Sequence, residues 1–179
     1  MIDPSVLKAL NASEAVIIES GDQDKGSIDR VRRALQAFGL EGEINYFDAS
    51  TRTSADAAAA IGCSVAQIAK SVIFRVPSSD EAVLIMASGV NRVDERKVEA
   101  ALGEKIGKAD AAFVRQRTGF AIGGVAPIGH TGPIRVFIDR DLQQYSEIWA
   151  AAGSPHAVFR LSPADLQRLT GGQVTDIKP

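Results

Sequence analysis

Apolar residues fall along this chain in short groups separated by clear stop signals, and the spacing within each group predicts the element. Ser20-Gly21-Asp22-Gln23-Asp24-Lys25-Gly26 is a polar, glycine-bracketed stretch that reads as a loop, so residues 1–26 are expected to form an N-terminal arm packed on or beside a domain spanning 27–179. From Ser27, a candidate N-cap, Ile28, Val31, Leu35 and Phe38 recur at helical spacing up to the stop at Gly39, while Arg30, Arg32 and Arg33 take other faces. Residues 43–48 read as a strand. Thr53-Ser54-Ala55-Asp56 opens an alanine-rich helix that Gly62 closes, and its alanines imply close packing. Ser64 and Gln67 have capping-box spacing, so a helical turn should end near Ala69 and deliver Lys70 to a strand over 71–76.

The second half alternates in the same way. The turn Pro77-Ser78-Ser79-Asp80 and the apolar run 82–87 predict a hairpin with 71–76, both strands buried. Asp94 caps a helix over 95–102 that ends at Gly103, and Asp110 begins another that runs to Arg117. A glycine- and proline-punctuated loop, Gly119 to Gly129, follows, then a strand over 134–138 ending at Asp139. Residues 142–153 fit helix or strand; the turn Gly153-Ser154-Pro155 favours a strand over 148–151, paired with a further strand at 157–161. Ser162-Pro163-Ala164-Asp165 caps a last helix stopped by Gly171-Gly172, and 174–177 closes the fold as a short strand. Hairpins mixed with helices predict an α+β fold, a single domain with a mixed sheet.

Composition narrows the class. The 179 residues, 45% hydrophobic and 23% charged, suit one globular core. No apolar run approaches the roughly 20 residues that cross a bilayer, and Asp3, Lys8 and Glu14 interrupt any signal-peptide core, so a cytoplasmic protein without membrane contact is expected. One cysteine, Cys63, with His130 and His156, falls short of a zinc cage, and no metal or other cofactor is expected. A net charge of −2 argues against coating nucleic acid by bulk electrostatics and leaves any contact to a local basic patch. A helix-turn-helix signature is missing too, so no DNA specificity is expected.

Two stretches carry candidate chemistry. Gln67-Ile68-Ala69-Lys70-Ser71-Val72-Ile73-Phe74 puts a lysine at the head of an apolar run, where a cation is costly unless an anion or polar substrate meets it. An ion pair with Asp94 or Asp139 explains Lys70 as well as a functional role does. The Gly119–Gly129 loop can bring backbone N–H groups close to a ligand because glycine has no Cβ to block the approach. It is not a nucleotide-phosphate loop: His130 stands where lysine is required, and Gly132-Pro133 prevents the helix that would receive a phosphate. No Gly-x-Ser-x-Gly elbow is present. Cys63 reads as a small buried side chain, His130 as a ligand contact or a solvated loop residue, and Arg30, Arg32, Arg33, Arg96, Lys97, Lys105 and Lys108 as solvated surface, with a tRNA-facing patch as the sharper reading.

Thr53 with its alanine-rich helix, Gly62, Gln67 to Ser71, Arg92-Val93-Asp94, Thr118-Gly119, Gly123-Gly124-Val125-Ala126-Pro127, Asp139 and Ala152-Gly153 together resemble the YbaK/prolyl-tRNA-synthetase-associated domain family, trans-acting relatives of the editing domain inserted in bacterial prolyl-tRNA synthetases. The likeness spans roughly 28–177. It implies a mixed, partly barrel-like β-sheet flanked by helices, making 27–179 a YbaK-like aminoacyl-tRNA deacylase domain that hydrolyses the ester joining a wrong amino acid to tRNA. Lys70 matches the family's essential lysine and Gly123 to Pro127 its Gly-x-x-x-Pro loop, so Lys70, Gly123, Gly124 and Pro127 are the expected catalytic residues. Thr53, Ile68, Ser71, Asp94, His130, Asp139 and Gly153 are expected to bind substrate, with Ile68, Val72, Gly153 and the surroundings of Ala121 and Ile122 as pocket walls. The implied partner is an aminoacylated tRNA 3′ end, with an aminoacyl-tRNA synthetase as a further one, for a protein that acts as a monomer, a dimer being left open. The rival expectation is a non-catalytic module that binds an amino acid or tRNA end.

Overall fold

The computed structural model describes residues 12–41, 43–48 and 53–179, with side chains from Lys25 onward. Helix α1 (Ala12–Ala37) is followed by β1 (Ile44–Tyr46), α2 (Ser54–Ile61), a 3-10 turn (Val65–Gln67), β2 (Ile68–Val76) and β3 (Glu81–Ser88). Then come α3 (Glu95–Leu102), β4 (Gly107–Lys108), α4 (Ala111–Thr118), β5 (Arg135–Asp139), a second 3-10 turn (Arg140–Gln144), β6 (Ile148–Ser154), β7 (Ala157–Leu161), α5 (Pro163–Thr170) and β8 (Gln173–Thr175). All eight strands form one mixed sheet in the order β1-β7-β6-β2-β3-β5-β8, with β4 attached to β2. The α+β class and the mixed sheet agree with expectation. The order is an open path from β1 to β8.

Local chemistry sets the element ends. Thr53 Oγ1 accepts from the Asp56 N–H at 3.1 Å, Asp94 Oδ1 from Arg96 N–H at 3.0 Å, Asp110 Oδ1 from Phe113 N–H at 2.8 Å and Ser162 Oγ from Asp165 N–H at 3.0 Å. Each satisfies a donor that the first helical turn leaves orphaned. The predicted hairpin forms with Ser71 opposite Met86 and Ile73 opposite Leu84.

The N-terminal half of α1 differs from expectation. The predicted loop 20–26 is helical and Ser27, read as an N-cap, is interior to the helix and buried. One glycine costs a helix only about 1 kcal/mol, less than stopping and renucleating it, so Gly26 is carried through. Residues 1–11 of the expected arm lie outside the described residues. Lys70 is the third residue of β2, which starts at Ile68, and β6 extends through Ser154 with a register irregularity between Ala151 and Ser154. The strand expected at 174–177 is Gln173–Thr175. The two-residue β4 and the turn Arg140–Gln144 carry no periodicity from which they could be read.

Packing separates the two faces. On one, Ile28, Val31 and Leu35 of α1, Val114 of α4, Phe120, and Leu166 and Leu169 of α5 cover Ala69, Leu84, Met86, Ile138 and Phe159. On the other, Val98 and Leu102 of α3 cover Val83, Ile85, Phe137 and Ile177. Helix α2 packs apart from both, placing Ala57 and Ala58 against Ile68 at the start of β2 with Trp149 alongside. Strand β3 is buried along 82–88, whereas β2 is only partly covered over 70–74, less than the sequence predicts.

Asp139 anchors the end of β5. Its carboxylate accepts from the Ser88 N–H at 2.9 Å, Asn91 Nδ2 at 2.8 Å and the Asp141 N–H at 2.9 Å. Asp139→Ala strands these donors, of which the Ser88 N–H is buried, and should lower unfolding free energy by about 2–4 kcal/mol in urea titration, with the slope unchanged.

Candidate active site

One edge of β2 is shared by two strands. Strand β6 pairs in parallel with Ile68 and Ala69 through Trp149 and Ala150, while β4 pairs with Phe74 and Arg75 through Lys108 and Gly107. Between them, among the described residues, no strand pairs with residues 70–73 on that edge. The Gly119–Gly129 loop covers the gap: Ser71 Oγ donates to the Val125 carbonyl at 2.7 Å. Here a cavity of about 100 Å³ wraps the β2 edge, with Thr53, Ser54 and Ala57 of the α2 region, Ile68, Lys70 and Ser71 of β2, Gly123 and Val125 of the loop, and Trp149 to Ala151, Ser154, Ala157 and Val158 of the β6–β7 hairpin around it.

Of the predicted residues, Lys70, Gly123, Thr53, Ile68 and Ser71 meet at this cavity. The others lie elsewhere. Gly124 is buried behind the wall, where an added Cβ would stand 2.8 Å from the Ser154 Cα. Pro127 is buried and lines a separate surface cleft with Phe38 and Leu169. Asp94 caps α3 and donates its N–H to the Ile177 carbonyl at 2.6 Å. His130 turns inward to bond the Ala126 carbonyl at 2.7 Å, with its ring edge-on to Phe120. Burial holds its imidazole below the usual pKa, the Ala126 bond offsetting this in part. Gly153 packs on α1, where a Cβ would meet the Ser27 carbonyl at 2.8 Å. Among the expected walls, Val72 packs on the α3 face, and Ala121 and Ile122 are exposed at the loop's outer side.

Among the described residues Lys70 is the only lysine or arginine on the cavity wall, and it has no hydrogen bond or ion pair with any of them. The expected alternative of a structural ion pair with Asp94 or Asp139 therefore does not form. Burial pushes the ammonium pKa below the usual lysine value; the field of Asp139 works against this shift and that of Arg92 adds to it. A partly desolvated cation with free donors facing a cavity is suited to an anionic or polar ligand atom. The loop borders the same space. The Gly124 N–H is spent on the Ala121 carbonyl at 3.0 Å, and Pro127 has none to give. Gly123 and Val125 line the cavity, and their N–H groups bond no other described residue.

Apart from Ile68, the apolar walls went unread in sequence because most of them are small residues. Ala150, Ala151 and Ala157 leave room by what they lack, and the run 150–154 was the available signal. Trp149 gave none; it lines both this cavity and a second, wider one beside it, lined also by Leu35, Glu43, Phe159 and Arg160. Cys63 is only half-buried, and burial raises its thiol pKa, so it is not poised as a nucleophile. Several expected surface cations are paired, Lys97 with Asp176 and Lys105 with Glu99. Among the described residues no group of acidic, histidine and cysteine side chains could hold a metal.

Comparison with known proteins identifies the family. The family model for aminoacyl-tRNA editing domains matches residues 48–169. YwhH of Bacillus subtilis (strain 168), itself of uncharacterised function, is 31% identical over 148 residues, 83% of this chain and 94% of YwhH. EbsC of Enterococcus faecalis (strain ATCC 700802 / V583), named as a candidate Cys-tRNA(Pro)/Cys-tRNA(Cys) deacylase, is 29% identical over 96 residues, 53% of this chain and 58% of EbsC. The crystal structure of a candidate trans-editing enzyme for prolyl tRNA synthetase superposes with a TM-score of 0.80 at 44% identity, covering 86% of this chain and 97% of that one. The chain therefore belongs to the aminoacyl-tRNA editing domain family, and its fold is that of an aminoacyl-tRNA deacylase.

Proposed function

We propose that this protein is a trans-editing hydrolase that removes a small amino acid, alanine first among them, from tRNA for proline. The observation that carries the reading is Lys70, a partly desolvated cation without an ion-pair partner among the described residues, on the wall of a cavity of about 100 Å³ beside the loop amides. Water adds to the acyl carbonyl, the bond to the tRNA terminal ribose oxygen breaks, and the products are the free amino acid and a tRNA with its terminal hydroxyl restored. An aminoacyl ester is already activated, so orientation and stabilisation of the oxyanion are what the protein must supply. The Gly123 and Val125 N–H groups are our assignment for the oxyanion donors, and the Lys70 ammonium for the anchor of the terminal ribose or phosphate.

Cavity size supports a small substrate. A cavity of about 150 Å³ accepts benzene, so one of about 100 Å³ takes a methyl or thiol side chain and excludes rings and long chains. A synthetase cannot reject so similar an amino acid strongly by binding alone, which is the need a second, smaller pocket meets. Beyond Ser154 lies a groove of about 440 Å³ that shares this residue with the cavity and is lined by Lys25, Ile28, Asp29, Arg32, Tyr46 and His156. Asp29 is paired with Arg32, so among the described residues Lys25 carries the groove's uncompensated charge, and the exposed Tyr46 ring offers a stacking face. This combination suits the single-stranded end of a tRNA leaving the cavity.

Lys70→Ala should reduce kcat/KM on alanyl-tRNA for proline by about 100-fold or more with an unchanged circular dichroism spectrum. Among tRNAs for proline charged with alanine, cysteine, proline or leucine, initial deacylation rates should be highest for alanine and lowest for leucine. If the ammonium is the anchor, the enzymatic rate, after subtraction of spontaneous hydrolysis, falls as pH rises through the lowered Lys70 pKa; a lysine base gives a rate that rises through it. Lys25→Ala with Tyr46→Ala should raise KM for the full tRNA about 10-fold while leaving hydrolysis of 3′-aminoacyl-adenosine unchanged.

A further inference from the structure

Arg30 is read from sequence as a solvated helix residue, and in the structure it is partly buried, with its guanidinium turned onto the Gly119–Gly129 loop. Its Nη2 donates to the Gly119 carbonyl at 2.7 Å and its Nε to the Gly129 carbonyl at 3.2 Å, so one side chain of α1 holds both ends of the Gly119–Gly129 loop. The guanidinium lies 4.8 Å from the centre of the Phe120 ring, which is fully buried and has His130 on its edge. No carboxylate among the described residues pairs with Arg30; its charge is met by carbonyl dipoles and the ring face. The seat is fitted on both sides. A Cβ at Gly119 would stand 2.7 Å from Arg30 Nη2, and one at Gly129 would stand 3.3 Å from the Arg30 backbone.

The same turn of α1 supports the opposite wall of the cavity. Gly153, at the β6 irregularity next to Ser154, lies against the Ser27 and Ile28 backbone, and Gly124 lies against Ser154. The segment Ser27–Val31 is thus wedged between the loop that carries Gly123 and Val125 and the strand that carries Ser154. It also precedes the residues matched by the editing-domain model, which begin at 48.

We propose that Arg30 is a positioning residue for ester hydrolysis: through the Gly119 and Gly129 carbonyls it fixes the loop whose Gly123 and Val125 amides face the acyl group, which makes α1 a working part of the deacylase. This rests on the deacylase reading above. A guanidinium is needed because its planar fork reaches two carbonyls at once while its carbon stands over the Phe120 ring; an ammonium is a point donor that serves one such geometry poorly. Without the fork the loop keeps its neck bond, Thr131 N–H to the Thr118 carbonyl at 3.2 Å, and the Ser71–Val125 bond, so the pocket persists but its amides are no longer held to a fraction of an ångström.

Arg30→Lys and Arg30→Ala are to be compared with the parent protein on alanyl-tRNA for proline at saturating and limiting substrate, with folded fraction followed by thermal melting. The expected result is a kcat lower by about 10-fold in Arg30→Lys and 100-fold in Arg30→Ala, KM within twofold of the parent, and partial recovery of kcat in Arg30→Ala on adding millimolar methylguanidinium. A kcat equal to the parent's in folded Arg30→Lys, or a loss that tracks the folded fraction and does not respond to methylguanidinium, overturns the proposal. If Arg30→Ala does not fold, the kcat and KM of Arg30→Lys decide. A parent protein without turnover on any mischarged tRNA refutes the deacylase reading instead, so the two failures are told apart.

Discussion

The interrupted edge of β2 is the constraint on which the rest of the site depends. A strand inside a sheet is expected to be paired along its length, and β2 is not: β6 leaves after Ala69 and β4 arrives only at Phe74. That gap opens the sheet over Lys70 to Ile73 and lets one small cavity reach around a strand edge to residues of both faces, Lys70 on one and Ser71 on the other. The long loop after α4 is then a structural necessity as well as a chemical one, because it supplies the Val125 carbonyl that Ser71 needs. Small side chains in β6 and β7 keep the gap from filling with core.

Lys70 sits in this opening under opposing influences. Burial disfavours its charge, and Asp139, two strands away at the end of β5, favours it from a distance, while the carboxylate's own hydrogen bonds go to Ser88, Asn91 and Asp141. Asp139 is therefore satisfied without closing a salt bridge on the lysine. A direct pair would have been worth little net stability after desolvation and would have removed the donors from the cavity. The arrangement leaves the lysine's donors unspent among the described residues, at the wall of the cavity.

What was legible in the sequence is what is decided within a few residues. Thr53, Asp94, Asp110 and Ser162 cap the helices they were expected to cap, because a capping side chain answers only to the next turn of backbone. The turn before β3 and the apolar runs on either side of it gave the hairpin for the same reason. Lys70 and the loop that carries Gly123 could be singled out because a lysine in an apolar strand and a glycine loop are locally costly and need a cause, whereas Ser71 came only with the family resemblance. Asp94, Pro127 and His130 carry the same outward marks, and the structure spends them on a cap, a buried loop turn and a carbonyl bond away from the cavity. Arg30 could not have been found this way, since its acceptors are 89 and 99 residues distant. The continuation of α1 through Gly26 is a matter of cooperativity, which a residue-by-residue reading of stop signals overestimates as a break.

Trp149 has a consequence of another kind. It is the chain's single tryptophan, and it lines both the candidate cavity and the wider one beside it, with an indole N–H that is buried and bonded to nothing among the described residues. All indole emission of the protein therefore originates from one side chain a few ångströms from where an acyl group would lodge. The fold carries its own optical reporter, and occupancy of the cavity can be followed without attaching a dye.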